Sequence, residues 1–217
     1  MFIEMLDLLR CVNPHEDTWL VASLKAISNR FVIDGLLGCP VCHAEYAVRH
    51  GIVDFRQAGD SLPTPSPAAA PVPRNREELA TRVGAFLNAT EPGATLVVGG
   101  AWGNAAQELS VMTEARVLVL NPSKEVDESE TVGLLRVSRE IPLAPGSALG
   151  VAVDASFPPE IIASAMKVVR PGGRILAPTS MTPPVDAAIL ARDERFWVAE
   201  KPAEIIPLQR AKSSEHS

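Results

Sequence analysis

Three cysteines are too few, and odd in number, to build a disulfide framework, which points to a reducing compartment. Basic residues are scarce too: 20 Lys and Arg stand against 26 Asp and Glu, for a formal charge of −6. No stretch clusters Lys and Arg as counterion release on nucleic acid requires, so there is no nucleic-acid footprint. No apolar run approaches the roughly 18 residues of a membrane-spanning helix. The opening "MFIEMLDLLRC" carries Glu4 and Asp7 where a signal peptide would be basic and then apolar. The expectation is a cytoplasmic protein with no membrane association.

What the chain does have is 47% apolar and 21% charged residues over 217 positions, enough for one domain or two small ones. Prolines punctuate it unevenly. The segment Gln57 to Asn75, "QAGDSLPTPSPAAAPVPRN", holds five of them and no apolar period. Such a stretch favours extended polyproline conformations, and residues 58–75 read as a linker. Residues 1–57 contain every cysteine and three of the four histidines. Residues 76–217 contain no cysteine.

The second block alternates. "NREELATRVGAFLNAT" places Asn75 as a cap before a helical period of Leu79, Val83, Phe86 and Leu87. "GATLVVGG", "ARVLVLNPS", "ETVGLLRVS", "SALGVAVDAS" and "PGGRILAPTS" read as strands, with helices over "NAAQELSVM", "PPEIIASAMKVVR" and "PVDAAILARD". "RFWVAEK" and "AEIIPLQRA" close the pattern as two more strands. Strands apolar throughout and alternating with helices predict a doubly wound, Rossmann-like α/β sheet of about seven strands, covered on both faces. A small β domain precedes it.

That small domain carries Cys39-Pro-Val-Cys42, the spacing at which two thiolates grip one ion from a single turn. Cys11 lies upstream with His15 four residues further on, in C-x3-H spacing, completing a Cys3His set of Cys11, His15, Cys39 and Cys42. His43 is an alternative fourth ligand, although its adjacency to Cys42 makes joint ligation awkward. A metal-free form with reduced, buried thiols stays open. His50 reads as a surface residue. The segments "LLRC", "GLLGCPVC" and "YAVRHGIVDF" resemble the bacterial short zinc-ribbon-like family, related to the small activator subunit of tRNA and protein methyltransferases. That resemblance implies a zinc ribbon and a protein partner bound through it. The family's first knuckle is usually C-P-x-C. Here it reads Cys11-Val12-Asn13-Pro14, so its second cysteine is missing.

In the larger block, "LVVGGAWGNAAQEL" is a glycine-rich turn opening a helix, where backbone can approach a ligand closely. With "REIPLAPGSALGVAVDA" and "VVRPGGRILAP", the element order resembles a class I S-adenosylmethionine-dependent methyltransferase. The resemblance implies that Gly99, Ala101 and Gly103 line the cofactor, Asn121 faces its ribose and Asp154 stands at the mouth of the sheet. The usual acids are replaced by Val97, Asn121 and Val137. If each lost anchor was worth about 1.5–3 kcal/mol, cofactor affinity falls by several orders of magnitude. Trp102 inside the turn either fills the cofactor's space or stacks on a ligand; Asp154 either caps a helix near Pro158 or acts in catalysis. Trp197 and Phe196 read as core.

The sequence nominates no catalytic residue. It implies a methyltransferase-like protein of unknown substrate with weakened or lost activity, or else a non-catalytic scaffold that binds a protein through the ribbon. It leaves homo-oligomerisation open.

Overall fold

The computed structural model describes residues 1–57, 60 and 75–203. The expected linker over 58–75 lies outside the described residues except for Asp60 and Asn75, and the strand expected over "AEIIPLQRA" lies outside them but for Ala203.

The chain opens with a 3-10 segment, Ile3–Leu8, followed by four antiparallel strands: β1 (Val21–Ser28), β2 (Phe31–Gly38), β3 (Glu45–Arg49) and β4 (Ile52–Asp54). Two tight turns join them. Asn29 and Arg30 both adopt positive φ between β1 and β2, and His50 and Gly51 do so between β3 and β4, the backbone twist that a two-residue hairpin needs. Then come α1 (Arg76–Leu87), β5 (Thr95–Gly99), α2 (Ala106–Thr113), β6 (Arg116–Leu120), β7 (Val132–Arg136), β8 (Ala148–Ala152), α3 (Ile161–Val168), β9 (Val169–Pro178), β10 (Ala188–Arg192) and β11 (Phe196–Glu200). The Asn75 side chain caps α1 as expected, accepting from the Glu77 and Glu78 amides at 2.9 and 3.4 Å.

Two expectations are corrected. The sheet has eleven strands rather than about seven, in the order β1-β2-β3-β4-β7-β6-β5-β8-β9-β11-β10. The seven strands β5–β11 form the doubly wound part, with β5 to β9 mutually parallel and β11 reversed against β9. The extra four come from the N-terminal block, because β4 pairs in parallel with β7, Ile52 opposite Leu134 and Asp54 opposite Arg136. The second correction is "PVDAAILARD", which forms strand β10 and not a helix. Every residue of β10 is exposed, so its burial has no period to read. The turn after it is fixed by Asp193, whose carboxylate accepts from the Arg195 and Phe196 amides at 2.7 Å each.

One apolar layer holds α1 and α2 against β5, β6 and β8. The other holds α3, and it runs without a break into the N-terminal block through Met1, Met5, Leu9, Leu37, Tyr46, Val48 and Phe55. No helix of eight or more residues links β6 to β7. The N-terminal segment covers β7 instead. A side chain at Gly133 would meet the Met1 and Met5 sulfurs at 2.8 and 3.0 Å and the Leu118 methyl at 2.9 Å. Glycine at that strand position is what admits both methionines.

Gly133→Val is therefore expected to destabilise the whole chain by about 1–3 kcal/mol through overpacking. Because one core serves both blocks, signals from residues 1–57 and from the α/β block should fall together in a single denaturant transition. Two separated transitions would contradict a shared core.

Candidate metal centre and glycine-turn cleft

The ligand atoms of Cys11, His15, Cys39 and Cys42 lie within 4.8 Å of one another. The Cys11 and Cys42 sulfurs stand 3.6 Å apart, and His15 Nε2 is 3.1 Å from the Cys11 sulfur and 3.3 Å from that of Cys39. A tetrahedral zinc with bonds of about 2.3 Å to sulfur and 2.0 Å to nitrogen sets S···S near 3.8 Å and S···N near 3.5 Å. These three edges are 0.2–0.4 Å shorter, and with all four ligand atoms within 4.8 Å of one another the residues fit the ion.

Local structure places each one. Cys11 follows the bridge that Arg10 forms with Trp19. Cys39 and Cys42 flank the turn leaving β2, where the Cys42 amide points at the Cys39 sulfur (3.5 Å) and the Cys39 amide donates to the Ala44 carbonyl at 2.9 Å. His43 sits outside the cluster at φ 60, so His15 and not His43 is the histidine the fold brings in. Its Nδ1 lies 2.6 Å from the Glu16 carbonyl. A proton on Nδ1 satisfies that oxygen and leaves the Nε2 lone pair facing the three sulfurs, the tautomer a metal ligand requires.

The thiols are not equivalent. The Ala44 backbone N–H and then the Asn13 side chain draw Cys42 down to about 6, while burial pushes Cys11 up to about 11. The Glu16 carbonyl raises His15. Asn13 Nδ2 donates to the Cys42 sulfur at 3.2 Å, and the Tyr46 hydroxyl lies 3.1 Å from that of Cys11. Asn13 and Tyr46 are supporting residues that the ligand spacing does not reveal.

The glycine turn lies where β5 ends, between β6 and β8. Gly100 has φ +65, and a side chain there would strike the Asp154 carboxylate. That carboxylate accepts from the Ala101 amide at 2.7 Å through one oxygen and from the Ser156 amide at 2.9 Å through the other. The Ser156 hydroxyl donates to the second oxygen as well. Asp154 thus clamps the turn. It is not the cap of α3, whose first residue is Ile161 and whose cap position is Glu160.

Asn121, expected to face a ribose, has φ 52 and turns its amide along the sheet. Its Oδ1 accepts from the Val137 amide at 2.9 Å and its Nδ2 donates to the Val137 carbonyl at 3.0 Å. Val97 and Val137 are fully buried. Gly103 faces the Val119 methyl, 2.8 Å from where a side chain would begin.

Trp102 does not enter this cleft. It is fully buried in the α1–α2 layer, edge-on to Phe196 with centroids 5.1 Å apart, and its Nε1 donates to the Val153 carbonyl at 3.3 Å. The ring beside Gly99 belongs to Phe157, which reaches within 2.7 Å of the position a Gly99 side chain would take, with Leu120 next to it. A lone phenylalanine in a loop has no period to mark it, so sequence reasoning missed Phe157. In this arrangement the Asn121 amide and both Asp154 oxygens are hydrogen-bonded within the chain, and the Phe157 ring lies beside Gly99, so these groups as placed do not fit S-adenosylmethionine.

No protein-family model and no curated protein matches this chain. Solved structures do. A Methanococcus maripaludis protein assigned as an S-adenosyl-L-methionine-dependent methyltransferase is 11% identical, over 60% of this chain and 87% of that one, with a TM-score of 0.44. The geranyl diphosphate C-methyltransferase of Streptomyces coelicolor A3(2), bound to Mg2+, geranyl diphosphate and S-adenosyl-L-homocysteine, is 15% identical over 46% and 44%, at 0.39. A chain from the Haloferax volcanii complex of the Trm112 methyltransferase activator with a protein assigned as a methyltransferase is 17% identical over 49% and 61%, at 0.35. The match spans less than half the length of several of these relatives, 45% of one from Galdieria sulphuraria. At such identities and scores the likeness says nothing of activity, substrate or partner.

Metal-free protein titrated with zinc should bind one ion, seen by a chelator-competition assay. His15→Ala is expected to lower the affinity by at least about 100-fold, the upper end of what losing an outer-shell partner costs, and His15→Cys to retain it. Alkylation of the metal-free chain should separate the thiols by pH. Cys42, held low, is thiolate above about 6 and its rate should level off by neutral pH, while Cys11, raised to about 11, should still be gaining. Equal pH profiles at mapped peptides would sink this assignment, and zinc should protect both residues.

Proposed function

We propose that this chain is a methyltransferase-like protein whose cofactor cleft is closed by its own side chains, and that it works as a zinc-stapled, non-catalytic binding module. Residues 1–57 form the zinc-ribbon-like unit, 58–75 the linker and 76–217 the methyltransferase-like unit. The observation that carries this reading is the state of the cleft. Both Asp154 oxygens and the whole Asn121 amide are used internally, and the Phe157 ring takes the space beside Gly99.

Zinc fits the role of a staple. Cys11, His15, Cys39 and Cys42 supply four ligands, which leaves no open position for water or substrate, the mark of a structural site rather than a catalytic one. When bound, the ion contributes folding energy. The chain's own residues hold and orient it, His15 through the Glu16 carbonyl and Cys42 through Asn13.

The competing reading is an S-adenosylmethionine-dependent methyltransferase. It is favoured by the strand order of β5–β11 and by the glycine turn at the end of the first parallel strand. The two readings differ in one measurement. Titration calorimetry of the zinc-loaded chain with S-adenosylmethionine and S-adenosylhomocysteine should show no binding up to millimolar ligand, and micromolar binding would refute the closed cleft. Phe157→Ala separates a steric block from a lost set of anchors: it should leave the protein without affinity, since Asn121 and Asp154 remain occupied.

A further inference from the structure

Helices cover both faces of the parallel strands, as a doubly wound sheet requires. Among the described residues, α1, α2 and α3 pack chiefly on β6, β7, β8 and β9. The ribbon is different. One side of β2 and β3 sends Leu37, Tyr46 and Val48 into the core. Among the described residues, no helix is laid on the other side. At its centre Leu36 stands opposite Ala47; Asp34 stands opposite Arg49 at one end and Gly38 opposite Glu45 at the other. Beside them β1 exposes seven of its eight residues.

This face is a trough with two hollows separated by Leu36. One, of about 440 Å³, is lined by Lys25, Asp34, Ala47 and Arg49. The other, of about 300 Å³, is lined by Val21, Gly38, Pro40 and Glu45, with Val21 64% exposed. The trough is electrically lopsided. Lys25 and Arg49 outnumber Asp34 at one end, leaving it net basic, and Glu45 makes the other acidic, about 13 Å away along β3. Among the described residues, Lys25, Asp34, Glu45 and Arg49 take part in no ion pair.

Association by the strand edges is disfavoured at both ends of the sheet. The β1 ladder is interrupted by a bulge at Lys25, and the β10 ladder by one at Leu190. Bulges and an edge lysine are how sheets prevent a further strand from adding. The face has no such guard, and its charge pattern is complementary to itself. A two-fold axis through Ala47 lays the Arg49 end of one copy over the Glu45 end of the other, twice, with Leu36 against its symmetry mate.

We infer that the outer face of β1–β3 is a two-fold interface for a second copy of this chain, centred on Leu36 and Ala47 and flanked by paired Glu45 and Arg49. The test is sedimentation of the intact chain, purified with zinc, over a rising concentration series. The wild type should approach twice its 23.1 kDa mass. Glu45→Lys alone and Arg49→Glu alone should each weaken the dimer by about tenfold or more, since each breaks two symmetric pairs. The double variant Glu45→Lys/Arg49→Glu should recover the wild-type constant. Both positions are exposed, so circular dichroism should be unchanged by the substitutions. A chain that stays monomeric at every concentration would overturn the inference, as it would if a helix of another protein were the true occupant. So would a dimer indifferent to both single reversals, or a double variant weaker than either.

Discussion

Three residues of parallel pairing hold the architecture together. Ile52, Val53 and Asp54 lie against Leu134, Leu135 and Arg136, and through them the N-terminal strands become part of the sheet rather than neighbours of it. Everything on the N-terminal side depends on that junction. Met1 and Met5 reach β7 only because it is there, and Gly133 leaves them room. The Leu9 to Leu143 bridge and the Tyr46–Phe55 ring pair extend the same core up to Cys11. The metal cluster thus sits at the end of a continuous packed path and not on an independent module.

The hydrogen bonds around the glycine turn follow from how buried polar groups are satisfied. A turn of two consecutive glycines leaves backbone N–H groups pointing at the sheet's carboxyl edge, and a buried donor must find an acceptor. A cofactor could be that acceptor. Here Asp154 is, and Asn121 does the equivalent for the backbone after β7. Groups engaged this way are ordered and already desolvated, so a ligand would have to displace bonds at least as good as those it makes.

Much of the fold was legible because it obeys simple periods. Leu79, Val83 and Leu87 mark the buried side of α1, Asn75 its start, and the unbroken apolar runs of β5, β6 and β8 their two-sided burial. The Cys3His group that the fold brings together was legible for a chemical reason, since thiolates and imidazole able to share an ion recur at short spacings. Other features have no such signature. β10 lies at an edge with every residue exposed, so neither face writes a pattern, and its alanine and leucine content suggests a helix. The partner of β4 is not encoded in the three residues of that strand. Trp102 and Phe157 were separable only by which layer each occupies, and a turn residue can face either.

The β7 edge is paired by β4 from within the same polypeptide. A tether of this kind keeps the two strands at an effective concentration on the order of millimolar. Any free strand competing for β7 would need to approach that concentration, far above ordinary cellular abundance, before it exchanged. Pairing within one chain therefore insulates this sheet edge from outside strands and fixes the N-terminal block and the α/β block in a one-to-one ratio.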